Sequence, residues 1–365
     1  MIRVLHTEWS DGWGGQEIRI IDEILSLQKY DVKSYLACRK DSQIFKKAQL
    51  NNIDVFTLPF KGNLDLITIV RLFFLIRKFD IDIVNTHSGK DSWVGGLAAK
   101  LSGKKFLRTR HLSNQINSSR LNFINEISDF VITTGETIRK DMIKNNRIKP
   151  EKIISIPTGP NANYFNPVKY SIEKCRTKFG IKDEEIAIGM LAVLRRFKRH
   201  DRFILSARYL IKKYPEKKFK FLIAGEGPQR INIEKLIKDN ALNNNFTLLG
   251  HIDCQPEFLR SLDIFVIASD SGEGVPQSLI QALLMNTPSI STNVGSVADL
   301  FLEDNFLLVE KKSQESFNQA LGKMLKNIDK EVIKTRNHIK NNFSEDVMAE
   351  KTFSLYNSIL KKRVS

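Results

Sequence analysis

Cysteine is scarce in this chain of 365 residues: Cys38, Cys175 and Cys254 are the only three, and they lie far apart without metal-type spacing. A disulfide framework and a zinc site are thereby excluded as organising devices, and a reducing compartment suits the thiols. Long apolar runs are lacking too. The most apolar stretch, from Leu66 to Ile76, is interrupted by Arg71 and closed by Arg77 and Lys78. It falls well short of the roughly 20 apolar residues of a membrane span and reads as an amphipathic helix. The first residues enter a strand-like pattern at once, without the order of charged, apolar and small residues that a signal peptide shows, so a cytoplasmic chain is expected. Acidic residues are the minority charge, 41 Asp and Glu against 57 Lys and Arg, for a net charge of +16. That excess attracts polyanions. It is spread along the whole chain rather than gathered on one element with interleaved aromatics, which disfavours nucleic acid as a partner. An anionic membrane surface or an anionic glycan acceptor fits it better.

What is present is a regular alternation. Short β-branched runs are followed by amphipathic stretches from end to end, the pattern of parallel sheets with crossover helices. Strands are expected over residues 2–6, 33–37, 54–58, 83–87, 106–110 and 130–134, and a second set over 187–193, 220–224, 247–249, 264–268, 288–292 and 306–309. The length calls for two cores. Between the sets, Ile156-Pro-Thr-Gly-Pro-Asn161 carries two prolines and a glycine that stop regular structure. The expected division is therefore an N-terminal domain over 1–158, a C-terminal domain over 159–345 and a helical tail over 346–365 that packs on the first domain. The tail's Val347, Phe353, Tyr356, Ile359 and Leu360 recur at helical spacing.

Three loops carry chemistry. Ser10-Asp-Gly-Trp-Gly-Gly-Gln-Glu17 joins a strand to a helix, where glycines let backbone N–H groups approach a phosphate; the competing reading is a tight turn without a ligand. Gly12, Gly14 and Gly15 do not make G-x-G-x-x-G, which disfavours a nicotinamide site. Ala224-Gly-Glu-Gly-Pro-Gln-Arg230 repeats the arrangement, and Leu194-Arg-Arg-Phe-Lys-Arg-His200 crowds four cations at a strand's carboxyl end, where ligands of open α/β sheets collect. The most specific stretch runs from Ser269 to Leu283, with Glu273-Gly274 at a turn before an apolar helix.

Taken in order and spacing, these segments resemble a retaining glycosyltransferase of the GT-B fold, in the family GT4. The resemblance runs through Gly14-Gly15-Gln-Glu17, Val84-Asn-Thr-His87, Arg108-Thr-Arg-His111, Ile156-Pro-Thr-Gly159, the Arg195/Lys198 loop, Gly225-Glu-Gly-Pro228, Glu273-Gly274 and Phe343-Ser344. It implies two Rossmann-like, doubly wound domains facing across a cleft. It also implies a nucleotide-diphosphate sugar as co-substrate, UDP-sugar by default, and neither cofactor nor metal. Residue by residue it implies Gly14 and Gly15 against the donor diphosphate, Arg195 and Lys198 neutralising the leaving group, and Glu273 holding sugar hydroxyls. Gln281 falls at the ribose, and His111 borders the reacting sugar. Gly225, Gly227, Pro228, Gly274, Val275, Gln277 and Ser278 belong to the donor-side motifs. The acceptor, a glycan or lipid-linked glycan of a surface polysaccharide, is expected around His87, Lys90, Trp93 and Arg110.

Three departures stand out. Gln281 replaces the family's second Glu, which exchanges a charge-assisted bond for a neutral one about half as strong. The Arg-to-Lys spacing is short, so Arg196 competes with Arg195 for the phosphate. Pro276 has no N–H to donate. Asp80-Ile-Asp82 matches a metal-binding D-x-D but precedes a strand, at the end away from the expected site. The rival functions are a nucleotide-sugar epimerase of the same fold, which would release isomerised sugar without acceptor, and a non-catalytic nucleic-acid-binding protein, which would show a steep salt-dependent shift on DNA or RNA.

Overall fold

The computed structural model describes residues 1–111, 116, 123–301, 306–326 and 333–361. Two parallel sheets organise the chain. The first contains β1 (Ile2–Glu8), β2 (Val32–Cys38), β3 (Val55–Thr57), β4 (Ile83–Thr86), β5 (Lys105–Arg110), β6 (Phe130–Thr133) and β7 (Ile153–Ser155), in the order β3-β2-β1-β4-β5-β6-β7. The second contains β8 (Glu185–Leu191), β9 (Lys218–Ala224), β10 (Phe246–Gly250), β11 (Ile264–Ile267), β12 (Ser289–Thr292) and β13 (Leu307–Val309), in the order β10-β9-β8-β11-β12-β13.

Parallel strands are covered on both faces, which is why they read as apolar runs. All four residues of β11 are buried, and its alternation divides two cores. Phe265 and Ile267 pack with Phe258, Leu279 and Leu283 on one side of the sheet, while Ile264 and Val266 pack with Phe203, Phe221 and Phe317 on the other. In both sheets the strand order reverses direction once, between β1 and β4 and between β8 and β11. Such switch points leave a crevice at the carboxyl ends of the strands, where open α/β sheets bind ligands. The loops singled out from the sequence follow strand ends: residues 10–17 after β1, 194–200 after β8, 224–230 from the end of β9 and 269–274 after β11.

Contacts divide the chain into two compact units: Met1–Gly159 joined by the helix Glu345–Lys361, and Pro160–Ser344. That helix is held by Met348, Ala349, Tyr356 and Ile359, which pack with Val4, Leu27 and Ile83, and by Tyr356 Oη donating to Glu23 Oε1 at 3.1 Å. The tail read over 346–365 lies in the helix Glu345–Lys361, parted at Ser344 from the preceding helix Ile333–Phe343; residues 362–365 lie outside the described residues.

Three strand expectations shift for local reasons. β7 goes unread in the sequence, because three residues between Pro150 and Pro157 are too few to show alternation. β4 stops at Thr86 because Asp91 captures the next two N–H groups: His87 N donates to Oδ2 at 2.8 Å and Ser88 N to Oδ1 at 2.7 Å. β8 begins at Glu185 rather than 187 and ends at Leu191, because Leu194 N turns to Glu226 O at 3.0 Å. The apolar stretch expected as a helix is one, Leu66–Lys78, and among the described residues no helix is long and apolar enough to cross a membrane.

Candidate functional site

In the second unit the loop after β8 and the loop after β11 are stitched together. Asp270 N donates to Phe197 O at 3.0 Å, and Arg199 pairs with Asp270 at 3.2 Å and with Asp201 at 2.8 Å. Lys198 Nζ meets Glu273 Oε1 at 2.6 Å, and Ser269 Oγ donates to the same oxygen at 2.6 Å. Glu273 is only 6% exposed, so its charge depends on that lysine: removing one member of a buried pair strands the other. Two residues 75 positions apart in sequence thus form one polar centre. Arg195 and Arg196 are exposed, and among the described residues neither pairs with a carboxylate. A cavity of about 770 Å³ opens beside them, lined also by Arg199, Gln229, Asn232 and Asp270.

The glycines after β9 have a packing task. A Cβ on Gly225, at φ +138, would stand 2.0 Å from Ala192 O, and one on Gly227, at φ +157, would stand 2.7 Å from Leu194 O. Their lack of a side chain lets the β9 loop lie against the arginine loop, fixed by Gln229 N donating to Leu194 O at 3.0 Å. Pro228 is exposed between them and the helix Arg230–Asp239. Gly274 O accepts from Ser296 N at 3.0 Å, while the Val275 side chain packs into the core at 7% exposure. Gln277, Ser278 and Gln281 are half-buried on the helix Gln277–Leu284, whose N-cap is Pro276.

In the first unit the loop after β1 is anchored by a carboxyl group that the sequence did not single out. Glu8 Oε1 accepts from Trp9 N and Ser10 N at 2.8 Å each, and Gln16 Nε2 donates to its other oxygen. Gly14 caps the helix Gly15–Leu27, but its N–H is given to Glu17 Oε2 at 2.8 Å. Lys90 Nζ lies 3.9 Å from the centre of the Trp9 ring, and Trp93 meets Phe123 edge-on at 5.2 Å. Arg110 is half-buried at the end of β5; burial, and then the neighbouring charge of Arg108, bring it down to about 10. His87 does not stand on an open surface: it is 1% exposed, and its two ring nitrogens each lie 3.0 Å from a nitrogen of His6 or His111. Asp80 and Asp82 are also spoken for, the first by Arg3 and Lys104 and the second by Arg3 N. The sequence missed His6, Glu8 and Asp91, and it assigned no role to Ser269, which opens the stretch singled out as most specific. For His6 a signal existed, since three of the chain's six histidines fall at the carboxyl ends of β1, β4 and β5.

These buried ionisable groups give stability an expected pH dependence. Burial pushes His6 down from 6.5 to about 4, so between those values the unfolded chain takes a proton that the folded one rejects, and stability falls as pH drops. Burial, and then the charge of Asp91, push Glu8 up from 4.5 to about 8. Here the folded state holds the proton, so its contribution is full below 4.5 and is lost as pH rises towards 8. The two effects oppose each other between about 4.5 and 6.5 and only the Glu8 loss remains above that, so thermal melts should decline from about pH 6.5 towards 8, and Glu8→Gln should reduce that decline. An unaltered alkaline decline in that variant would contradict the assignment.

Two family models cover most of the chain, Glycosyltransferase Family 4 over residues 13–164 and Glycosyl transferases group 1 over 171–345. The chain belongs to the GT4 glycosyltransferases. It is 26% identical over 357 residues to the UDP-Gal:alpha-D-GlcNAc-diphosphoundecaprenol alpha-1,3-galactosyltransferase of Escherichia coli, covering 92% of this chain and 90% of that one. Among solved structures, a glycosyltransferase from Rickettsia africae superposes with a TM-score of 0.89 at 22% identity, covering 99% of both chains. Anabaena Alr3699/HepE in complex with UDP-glucose superposes with a TM-score of 0.83 at 16% identity, covering 98% of this chain and 100% of that one. The fold is GT-B, with two parallel α/β sheets and a C-terminal helix against the first helix.

Proposed function

We propose that the protein is a retaining, metal-independent hexosyltransferase that moves a sugar from a UDP-sugar to a glycan or lipid-linked acceptor in surface-polysaccharide assembly. The observation that carries this reading is the Lys198–Glu273–Ser269 centre, which joins the two most specific motifs of the chain at one place. Lys198, with Arg195 or Arg196, neutralises the charge that grows on the leaving diphosphate, the largest contribution such a site makes. Glu273 accepts hydrogen bonds from sugar hydroxyls, Gln281 from the ribose, and His111 borders the sugar. The acceptor oxygen bonds to the anomeric carbon on the face from which the diphosphate oxygen departs, and that departing oxygen takes the acceptor's proton. No protein base is required. The UDP-glucose complex of the Anabaena neighbour and the diphosphoundecaprenol acceptor of the Escherichia coli relative support the donor and acceptor classes. Incubation with UDP-sugars and a diphospholipid-linked sugar in EDTA should give a product that retains the donor's anomeric configuration. Loss of all transfer in EDTA, restored by manganese, would contradict the metal-free mechanism.

The exposed face of the helix Leu66–Lys78 supports a reaction carried out at a membrane surface. It buries Ile69, Leu72 and Ile76, yet Leu66, Ile67, Val70 and Phe74 are each more than half exposed, with Leu64 just before them. Ordinary sheet-covering helices turn charge outwards. Here the outer face is apolar and is flanked by exposed Arg71, Arg77 and Lys78, the composition of a helix that lies in an anionic lipid interface. Val70→Glu combined with Phe74→Glu should abolish co-sedimentation with vesicles containing phosphatidylglycerol. Transfer to a water-soluble acceptor should persist. Equal sedimentation of variant and parent would remove the helix from the account.

A further inference from the structure

His6, His87 and His111 form a row across neighbouring strands of the first sheet. His6 Nδ1 lies 3.0 Å from His87 Nε2, and His87 Nδ1 lies 3.0 Å from His111 Nε2. A neutral imidazole carries one N–H and one bare nitrogen, so each contact needs one of each and the whole row points one way. In one arrangement His6 Nδ1–H donates to His87, His87 Nδ1–H donates to His111 Nε2, and the remaining proton of His111 sits on Nδ1. In the other every bond is reversed, and His111 is left with a bare Nδ1.

The inner end decides between them. His6 is fully buried, and its Nε2 has no partner. The first arrangement leaves a bare lone pair there, whereas the reverse leaves an N–H without an acceptor inside the protein. Orphaned buried N–H groups are the rarer defect. The outer end is His111, which at 9% exposure is the most accessible ring of the three. The charged groups facing the row are Arg19 and Glu23 from the helix Gly15–Leu27 and Arg108 and Arg110 from β5. Burial, with three guanidiniums against one carboxylate, keeps all three rings neutral, so no added proton breaks the direction.

We propose that His6 and His87 are positioning residues that hold His111 with its proton on Nδ1, so that His111 meets the sugar as a hydrogen-bond donor and not as a base. The inference rests on the reading of His111 as the histidine beside the reacting sugar. It also accounts for a buried histidine pair that the transfer mechanism leaves without a task.

The test uses the full chain with 15N-labelled histidine and long-range 1H–15N correlation spectra, assigned with a His111→Gln variant. His111 should show a protonated Nδ1 and a bare Nε2 between about pH 5.5 and 8, the range in which an unperturbed histidine would titrate. In His87→Leu the ring should become a mixture of tautomers, and kcat should fall roughly tenfold or more while the KM for UDP-sugar stays within about twofold. His87→Gln still offers an amide N–H to His111 Nε2, so it should keep the tautomer and recover most of kcat. His87→Glu can only accept, and should drive the proton onto Nε2. Thermal melts check that each variant is folded. A wild-type His111 protonated on Nε2, or a His87→Leu protein with tautomer and kcat unaltered, would overturn the proposal. The spectra need no substrate. A protein with the Nδ1–H pattern and no sugar transfer would therefore count against the proposed function while leaving the relay standing.

Discussion

Lys198→Ala is expected to lower turnover with UDP-sugar by about 10²- to 10³-fold, the range seen when a preorganised group that meets developing charge is removed. The lysine has two tasks in the account. Before the donor arrives it satisfies Glu273, which has Ser269 as its other partner and lies almost wholly out of solvent. During transfer it meets the charge that accumulates on the departing diphosphate. The variant should therefore also melt earlier, since a buried carboxylate loses its cation; breaking a buried pair costs on the order of 3–5 kcal/mol, and the 19% exposure of the Lys198 side chain places the loss at or below the lower end. Steady-state kinetics and a melt on the same preparation separate the two effects. Lys198→Ala with near-normal kcat would remove Lys198 from the chemistry even if stability fell.

Gly295→Ala should damage the same centre from behind. Gly295 has φ +56, and a Cβ there would stand 1.9 Å from Glu273 O and 2.7 Å from Glu273 C. The contact is with backbone, so no side-chain rotation relieves it. The turn that carries Glu273 is braced from this side by Ser296 N donating to Gly274 O at 3.0 Å and Thr292 Oγ1 donating to Ser269 O at 2.5 Å. Backbone strain and overpacking together should cost about 3 to 5 kcal/mol and displace the carboxylate from Lys198. Gly180→Ala is the matched control: φ is +65, but nothing lies within 4 Å of the added carbon, so only the dihedral cost of about 1 kcal/mol applies. Differential melting and kcat of the two variants check this. Similar, small losses in both would mean that the close approach to Glu273 does not hold its turn.

Much of the architecture could be read from the sequence because parallel strands need apolar residues on both faces. Runs such as Ile264-Phe-Val-Ile267 announce themselves, and the loops at their carboxyl ends mark where ligands are met. The Lys198–Glu273 centre was legible for a related reason, since both residues sit in loops that follow neighbouring strands β8 and β11. Glycine was harder. Gly225 and Gly227 follow a strand as a phosphate-binding loop would, but a glycine does not reveal which atoms come close, and here they are Ala192 O and Leu194 O. Gly14 likewise gives its N–H to Glu17 of its own helix. His87 looked like a surface residue at a strand end because its partners, His6 and His111, come from other strands, 81 and 24 positions away in sequence. His6 lies within a strand buried on both faces from Val4 to Glu8, where it reads as one more buried position. Nothing local to that strand shows that its neighbours across the sheet also end in histidine.

In the proposed mechanism the loops after β8 and β11 grip the diphosphate of a nucleotide leaving group through Lys198. Calorimetric titration of UDP into the wild-type protein and into Lys198→Ala, both in EDTA, tests that grip. Saturable binding by the wild type, weakened tenfold or more in the variant, the effect of about 1.4 kcal/mol, is the predicted result. Equal affinity of the two proteins, or no binding of UDP to the wild type, would contradict it.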